Sequence, residues 1–203
     1  MQTGRGTSQS LRRKSIKHLS LAYEELSSVH YDLIEKHTQD VQVLDVSHNH
    51  IRDVKFLSHF EVLDTVILDH NLLNCLTVFP LLPSLRCLWI NFNRVLSPTP
   101  FVPSLARSCP NLRHLSLMGN EAAPSYLNGR SQQDNTNYRL YVIANFPLLT
   151  FLDDAPVSAE ERRQASAIKQ HIDAMVHLNQ ASLTRNSLRA IQPEAIHPSA
   201  HSN

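Results

Sequence analysis

Glycine is scarce, with four in 203 residues, at positions 4, 6, 119 and 129. Dinucleotide fingerprints and phosphate-cradling loops need clustered glycines so that the backbone can approach the phosphate, and their absence excludes the commonest nucleotide-enzyme architectures. Cysteine is equally sparse. Cys75, Cys87 and Cys109 are odd in number and lack CxxC spacing, and no Asn-x-Ser/Thr acceptor occurs, as expected in a reducing compartment. No run of about 18 apolar residues exists, and the basic first twenty residues lack the apolar centre of a signal peptide. The expectation is a protein with no transmembrane segment that is not secreted, placed in the cytoplasm with the nucleus as alternative. A formal net charge of +1 is too small to draw a whole domain onto nucleic acid, so direct nucleic-acid binding is not expected. That charge is uneven: Arg5, Arg12, Arg13, Lys14 and Lys17 stand in the first twenty residues with no acid among them. Residues 1–15 read as a solvated, disordered basic arm, with an import or membrane-surface patch as the alternative.

What is present is a repeat. The segments VQVLDVSHNHI, VLDTVILDHNLL, SLRCLWINFNRV and NLRHLSLMGNEA align on LxxLxLxxNxL, with Asn49, Asn71 and Asn93 22 residues apart and Asn120 a further 27 on. Alternation over LxL makes a short strand whose leucines face inward, and one such coil cannot close a core alone, so coils must stack. An Asn amide both donates and accepts, so stacked coils would give a ladder of side chains satisfying backbone groups where the chain leaves each strand. Behind the strands, Val54, Leu57 and Phe60, then Leu76, Phe79 and Leu82, have spacings suited to short helices or turns and are expected in the core. HLSLAYEEL reads as a degenerate first coil with Glu24 at the Asn position, the edge where the ladder begins, followed by Val29 and Leu33 on an apolar helical face.

This pattern resembles the short intracellular class of leucine-rich repeat proteins. The stretch YRLYVIANFPLLTFLDDAPVSAEER, with Tyr138, Arg139, Val142, Ile143, Pro147, Leu149, Leu152, Asp153, Val157 and Arg162, is similar to the cap that closes a subset of that family, and these residues are read as structural. The resemblance implies an α/β solenoid of about six coils with a short parallel concave sheet, an irregular or helical convex side and a C-terminal cap. Domain boundaries follow: the repeat domain over 16–157 with its cap from about 138, a helical extension over 158–192, and a disordered tail over 193–203. Ser158 with Glu161 forms a capping box, and Ile168, Ile172, Met175 and Leu178 share one helical face that either packs on the cap or binds a partner.

Residues between the strand leucines face the concave side. Ser20, Asp45, Ile67, Trp89, Ser116 and Asp153 form one row, and Tyr23, His48, His70, Phe92 and Gly119 form another just before the Asn. Trp89 and Phe92, flanked by Ile67 and Met118, carry most weight because exposed aromatics on a rigid sheet are enriched among binding hot spots. Asp45 and Asp69 with Arg86 and Arg113 would frame that centre with opposite charges. The candidate partner-binding set is therefore Asp45, His48, Ile67, Asp69, His70, Trp89, Phe92, Arg113 and Met118. His48 and His70 on neighbouring rungs invite a metal reading, but no third compact ligand motif accompanies them, so no metal and no cofactor is expected. No nucleophile elbow or Cys/base pair arises, and catalysis is not expected. The family resemblance implies a monomeric protein-interaction adaptor. Its relatives in pigment-cell differentiation imply organelle building, with a membrane-traffic GTPase as one candidate partner. Ribonucleoprotein assembly, as in a spliceosomal member, or a microtubule or ciliary scaffold is the alternative.

Overall fold

The computed structural model describes residues 17–125 and 129–170. Seven strands form one sheet in chain order: β1 Lys17–Ser20, β2 Val41–Asp45, β3 Thr65–Ile67, β4 Cys87–Trp89, β5 His114–Ser116, β6 Phe151–Leu152 and β7 Ala155–Pro156. The first six are mutually parallel and β7 returns antiparallel on β6. Sequential parallel neighbours need a crossover behind the sheet, which the rest of each coil supplies. Leu44, Val66, Leu88, Leu115 and Leu152 occupy one register line and are buried, as are Val46, Leu68, Ile90 and Leu117 two residues on. A one-residue slip would turn these side chains to water, which holds the register.

Each ladder Asn fastens two coils. Asn71 accepts at Oδ1 from the Ile51 N–H of the preceding coil (2.9 Å), while its amide donates to Val46 O of that coil (3.0 Å) and to Leu68 O of its own (3.1 Å). Asn49, Asn93 and Asn120 repeat this, accepting from Leu26, Leu73 and Val95. The side chain always reaches backward. An Asn in the first coil would have no preceding coil among the described residues to fasten, which fits Glu24 standing there.

The convex side departs from the expected helices in the early coils. Helix α1 is a single turn, Tyr31–Ile34, and it buries Ile34 while Leu33 stays 46% exposed, so the core contact is one residue later than the sequence pattern suggested. A 3-10 turn over Lys55–His59 buries Phe56 and Leu57, with Val54 and Phe60 at its ends. Phe79 and Leu82 are buried, but Leu76 is 82% exposed, which corrects its placement in the core: residues 74–82 contain no helix, so helical spacing does not apply. The longer coil holds helix α2, Pro98–Ser108, capped by the Ser97 hydroxyl and burying Phe101, Val102 and Leu105.

Helix α3, Gln132–Asn145, begins in a reciprocal Ser131/Asp134 capping box and buries Tyr138, Leu140, Val142 and Ile143. Residues 159–170 form helix α4, and Ser158 and Glu161 make the expected reciprocal box at its start. Arg139 donates to Leu152 O (3.1 Å), Pro156 O (3.3 Å) and the Glu161 carboxylate (2.6 Å). Arg162 donates to Phe146 O (3.0 Å), Ile143 O and Leu149 O. These two guanidiniums tie α3, β6, β7 and α4 together. Ile168 is 39% exposed on α4; Ile172, Met175 and Leu178, like the basic arm and the tail, lie outside the described residues.

Candidate functional site

The concave face is built from three rows, because parallel pairing puts equivalent residues of successive coils side by side. In the middle row Asp45, Ile67, Trp89 and Ser116 are register partners across β2 to β5. Trp89 is 43% exposed at the sheet centre, next to half-buried Ile67. Ser116 is buried, donating to Asn91 Oδ1 (2.6 Å), so the expectation of an exposed serine there is corrected. Asp45 and Asp69 are committed to the backbone: Asp45 accepts from the Ser47 N–H (2.9 Å), and Asp69 from the Asn91 N–H (2.7 Å) and side-chain amide (3.2 Å). Their carboxylates brace the turns after the strands and offer a partner only their remaining lone pairs.

Beside this row, at the strand exits, stands a column of rings. Tyr23 stacks on His48 (centroids 4.1 Å), His48 on His70 (4.2 Å) and His70 on Phe92 (4.5 Å), with interplanar angles of 10 to 15°. All four residues, and Gly119 after them, have φ between 53 and 71°. A left-handed residue swings its side chain along the rim, and each coil repeats the swing, so the rings meet face to face. A Cβ on Gly119 would lie 2.3 Å from Phe92 Cδ1, so glycine is required where the column ends. His48, His70 and Phe92 are thus brought together with Tyr23, while Trp89 makes no ring contact with Phe92. Imidazole lone pairs lie in the ring plane, and stacked rings do not converge them on one ion; no cluster of three metal-ligating side chains occurs among the described residues.

A third row, on the near side of the middle one, carries Thr65, Cys87, His114 and Phe151, the last two meeting edge to face at 5.0 Å. The candidate set omitted Cys87, His114 and Phe151, although they occupy the first strand position of their coils. Burial raises the Cys87 thiol above its ordinary value, and drives the Cys109 thiol to about 12, which leaves neither as a thiolate at neutral pH. Met118, 39% exposed, lies two residues past Ser116 at the edge of the face.

At the last coil Asp153, also left-handed, accepts from the Leu117 N–H (2.8 Å). Burial raises its carboxyl above the usual range despite that bond, and raises the Tyr138 hydroxyl well above 10, with the Asp153 charge adding to the effect. That hydroxyl is buried with no hydrogen-bond partner of good geometry among the described residues. Burial opposes ionisation of Glu161 too, but Arg139 and the Ser158 N–H and hydroxyl outweigh it and hold the carboxyl at about 2. These residues organise the end of the sheet rather than a reaction centre.

No protein-family model matches the chain. It is 38% identical over 127 residues to the human leucine-rich melanocyte differentiation-associated protein, covering 60% of this chain and 64% of that protein. It is 28% identical, also over 127 residues, to the Arabidopsis thaliana U2 small nuclear ribonucleoprotein A', covering 62% of this chain and 46% of the relative. The matched region therefore spans about half to two thirds of the curated relatives. In fold it matches a chain in the crystal structure of the Drosophila melanogaster SNF/U2A' complex, with a TM-score of 0.57 at 19% identity over 79% of this chain and 87% of that one. Repeat, register, asparagine ladder and relatives agree. The chain has the leucine-rich repeat fold. On the leucine-rich repeat sheet six of the expected partner-binding residues form two groups, Ile67, Trp89 and Met118 on the apolar concave face and His48, His70 and Phe92 in the ring column, while Asp45 and Asp69 brace the turns after the strands. Arg113 belongs to neither, standing just before β5. No helix among the described residues is long and apolar enough to cross a membrane.

Proposed function

We propose that this leucine-rich repeat protein is a non-catalytic adaptor that receives another protein on its concave face, with Trp89 as the anchor. One observation carries the reading: a tryptophan exposed at 43% in the middle of a rigid sheet, on a strand whose leucine is fully buried behind it. Exposed tryptophans flanked by apolar neighbours are the commonest anchors of protein interfaces, and Ile67 and Met118 supply the flank. The C-terminal segment from about 138 acts as a cap in this reading, covering the last coil of a repeat domain that runs over 16–157. Similarity to the human melanocyte differentiation-associated protein supports a role in pigment-cell differentiation and organelle building in the cytoplasm, a membrane-traffic GTPase being a candidate partner. Similarity to the U2 ribonucleoprotein A' favours a second reading, assembly of a ribonucleoprotein in the nucleus by gripping an RNA-binding protein.

Photo-crosslinking from position 89 in a pigment-forming cell identifies the partner, and an RNA-binding protein at that position would select the second reading. With the partner in hand, Trp89→Ala should weaken binding by about 2 kcal/mol or more, near thirtyfold, while the melting temperature barely moves. A large fall in melting temperature, with binding that merely follows the folded fraction, would remove Trp89 from the interface.

A further inference from the structure

A polar groove of about 510 Å³ opens at the starts of the strands, lined by Val62, Asp64, Ser84, Arg86, Asn111 and Arg113 among others. Its charges lie in one register. The Arg86 N–H donates to Asp64 O (2.8 Å) and the Arg113 N–H to Arg86 O (2.8 Å), so Asp64, Arg86 and Arg113 stand on consecutive rungs, about 4.8 Å apart. Two like charges on adjacent rungs repel, and the compensation within the protein is incomplete. Asp64 meets Arg86 at 3.7 Å, beyond hydrogen-bond length, and Arg113 has no carboxylate within 4.0 Å among the described residues. On its other side the next rung is Thr150, which carries no charge and gives its hydroxyl to Arg113 O (3.0 Å).

We propose that this groove binds a side-chain carboxylate of an acidic protein segment, held between the Arg86 and Arg113 guanidiniums. Two guanidiniums less one carboxylate leave a single positive charge, which one carboxylate neutralises, whereas a phosphate dianion would leave excess negative charge beside Asp64. Arg86 and Arg113 present planar forks of N–H donors suited to paired carboxylate oxygens. Val62 and Pro83 supply an apolar wall for the carboxylate's methylene stem. Arg86 stands just before β4, which ends at Trp89, and an irregularity at the strand's start, where the Arg86 and Cys87 N–H groups both donate to Asp64 O, keeps it exposed. A partner seated on Trp89 would thus place an acidic residue in the groove at a fixed offset, and the charge would steer its approach. Only the source of the carboxylate rests on the adaptor reading; the site itself does not.

The full-length protein, labelled with nitrogen-15, is titrated with an end-capped hexaglutamate peptide while the Arg86 and Arg113 Nε–Hε resonances are followed. Both should shift and saturate with hexaglutamate and stay still with hexaglutamine. Arg113→Gln should weaken the interaction at least about tenfold, the loss of one charge-assisted pair. Asp64→Asn should tighten it about threefold by removing the internal competitor for Arg86. Arg94→Gln, on the far rim of the same coil, should change nothing. Tighter binding of inorganic phosphate than of hexaglutamate, an Arg94→Gln effect equal to that of Arg113→Gln, or weakening by Asp64→Asn would each overturn the site. Trp89→Ala should leave this titration intact, so a chain that keeps it while also keeping its normal partner affinity refutes the tryptophan anchor and not the groove.

Discussion

The interior coils and the C-terminal segment solve the same problem by different chemistry. Both must satisfy carbonyls where the chain turns behind a parallel sheet. In the interior a neutral asparagine does it, buried between two coils that supply all of its partners. At the end, Arg139 and Arg162 do it from positions partly open to water. A buried charge is costly unless fully paired, whereas an amide flanked by identical neighbours is satisfied by repetition alone. The last coil has no successor among the described residues, and a guanidinium that keeps one side hydrated can reach several carbonyls there that no asparagine meets. Interior fastening should therefore be indifferent to pH and salt, and terminal fastening should not.

The comparison breaks first if Asn71 proves dispensable. Asn71→Ala leaves the Ile51 N–H and the Val46 and Leu68 carbonyls without the side chain that served them, and should cost about 3 to 5 kcal/mol in urea unfolding, with the same loss at pH 5 and pH 8. A loss under about 1 kcal/mol would mean that water replaces the amide, and the ladder would be ornament rather than fastening.

Glu161→Gln tests the other half. A carboxyl held at about 2 when folded and near its ordinary value when unfolded contributes stability that is complete above about pH 5 and disappears as pH falls toward 2. The substitution should cost about 2 kcal/mol at neutral pH and almost nothing at pH 2, read from melting curves across that range. Asp153 works against it, since a raised carboxyl favours the folded state as pH falls, while the lowered carboxyls of Asp53 and Asp134 act with Glu161, so the variant should lose less stability on acidification than the parent. A pH-independent cost would show that the Arg139 ion pair contributes packing and not charge.

The smallest effect expected is from Glu24→Asn, which restores the repeat template in the one coil that departs from it. With no preceding coil to fasten, the new amide should change stability by less than about 0.5 kcal/mol, the scale of an ordinary surface substitution. A gain above about 1 kcal/mol would show that something from outside the described residues packs on that edge.

Most of the architecture was legible because a repeat states each rule several times. Leu44, Val66, Leu88 and Leu115 share one inward line, and Asn49, Asn71, Asn93 and Asn120 one ladder, so chance could not mimic either. Arg139 and Arg162 were legible as structural residues through family resemblance, but their carbonyl partners were not, since those contacts cross 13 to 19 positions of chain. The convex side was misread where only one copy spoke: Leu33 and Leu76 had helical spacing but no sustained helix to enforce it. At the site, Trp89 and Ile67 followed from strand alternation. The row of Tyr23, His48, His70, Phe92 and Gly119 followed from its place before the ladder Asn, but its face-to-face stacking did not, because the left-handed backbone of His48, His70 and Phe92 cannot be read from side chains that ordinarily avoid it. Its one trace in the sequence was a ring before the ladder position in four successive coils, with glycine ending the series.

The asparagine always reaches toward the coil made before it, and that gives the molecule a direction in time. On a ribosome the chain emerges amino end first, so the second coil, with Ile51 waiting for an acceptor, cannot be fastened until Asn71 has left the exit tunnel. Each coil is completed by its successor's side chain, and the zipping front trails synthesis by one repeat throughout. Only when Arg139 and Arg162 appear does the last coil receive a fastening of its own, so the stop signal for folding is written near the point where the repeats end.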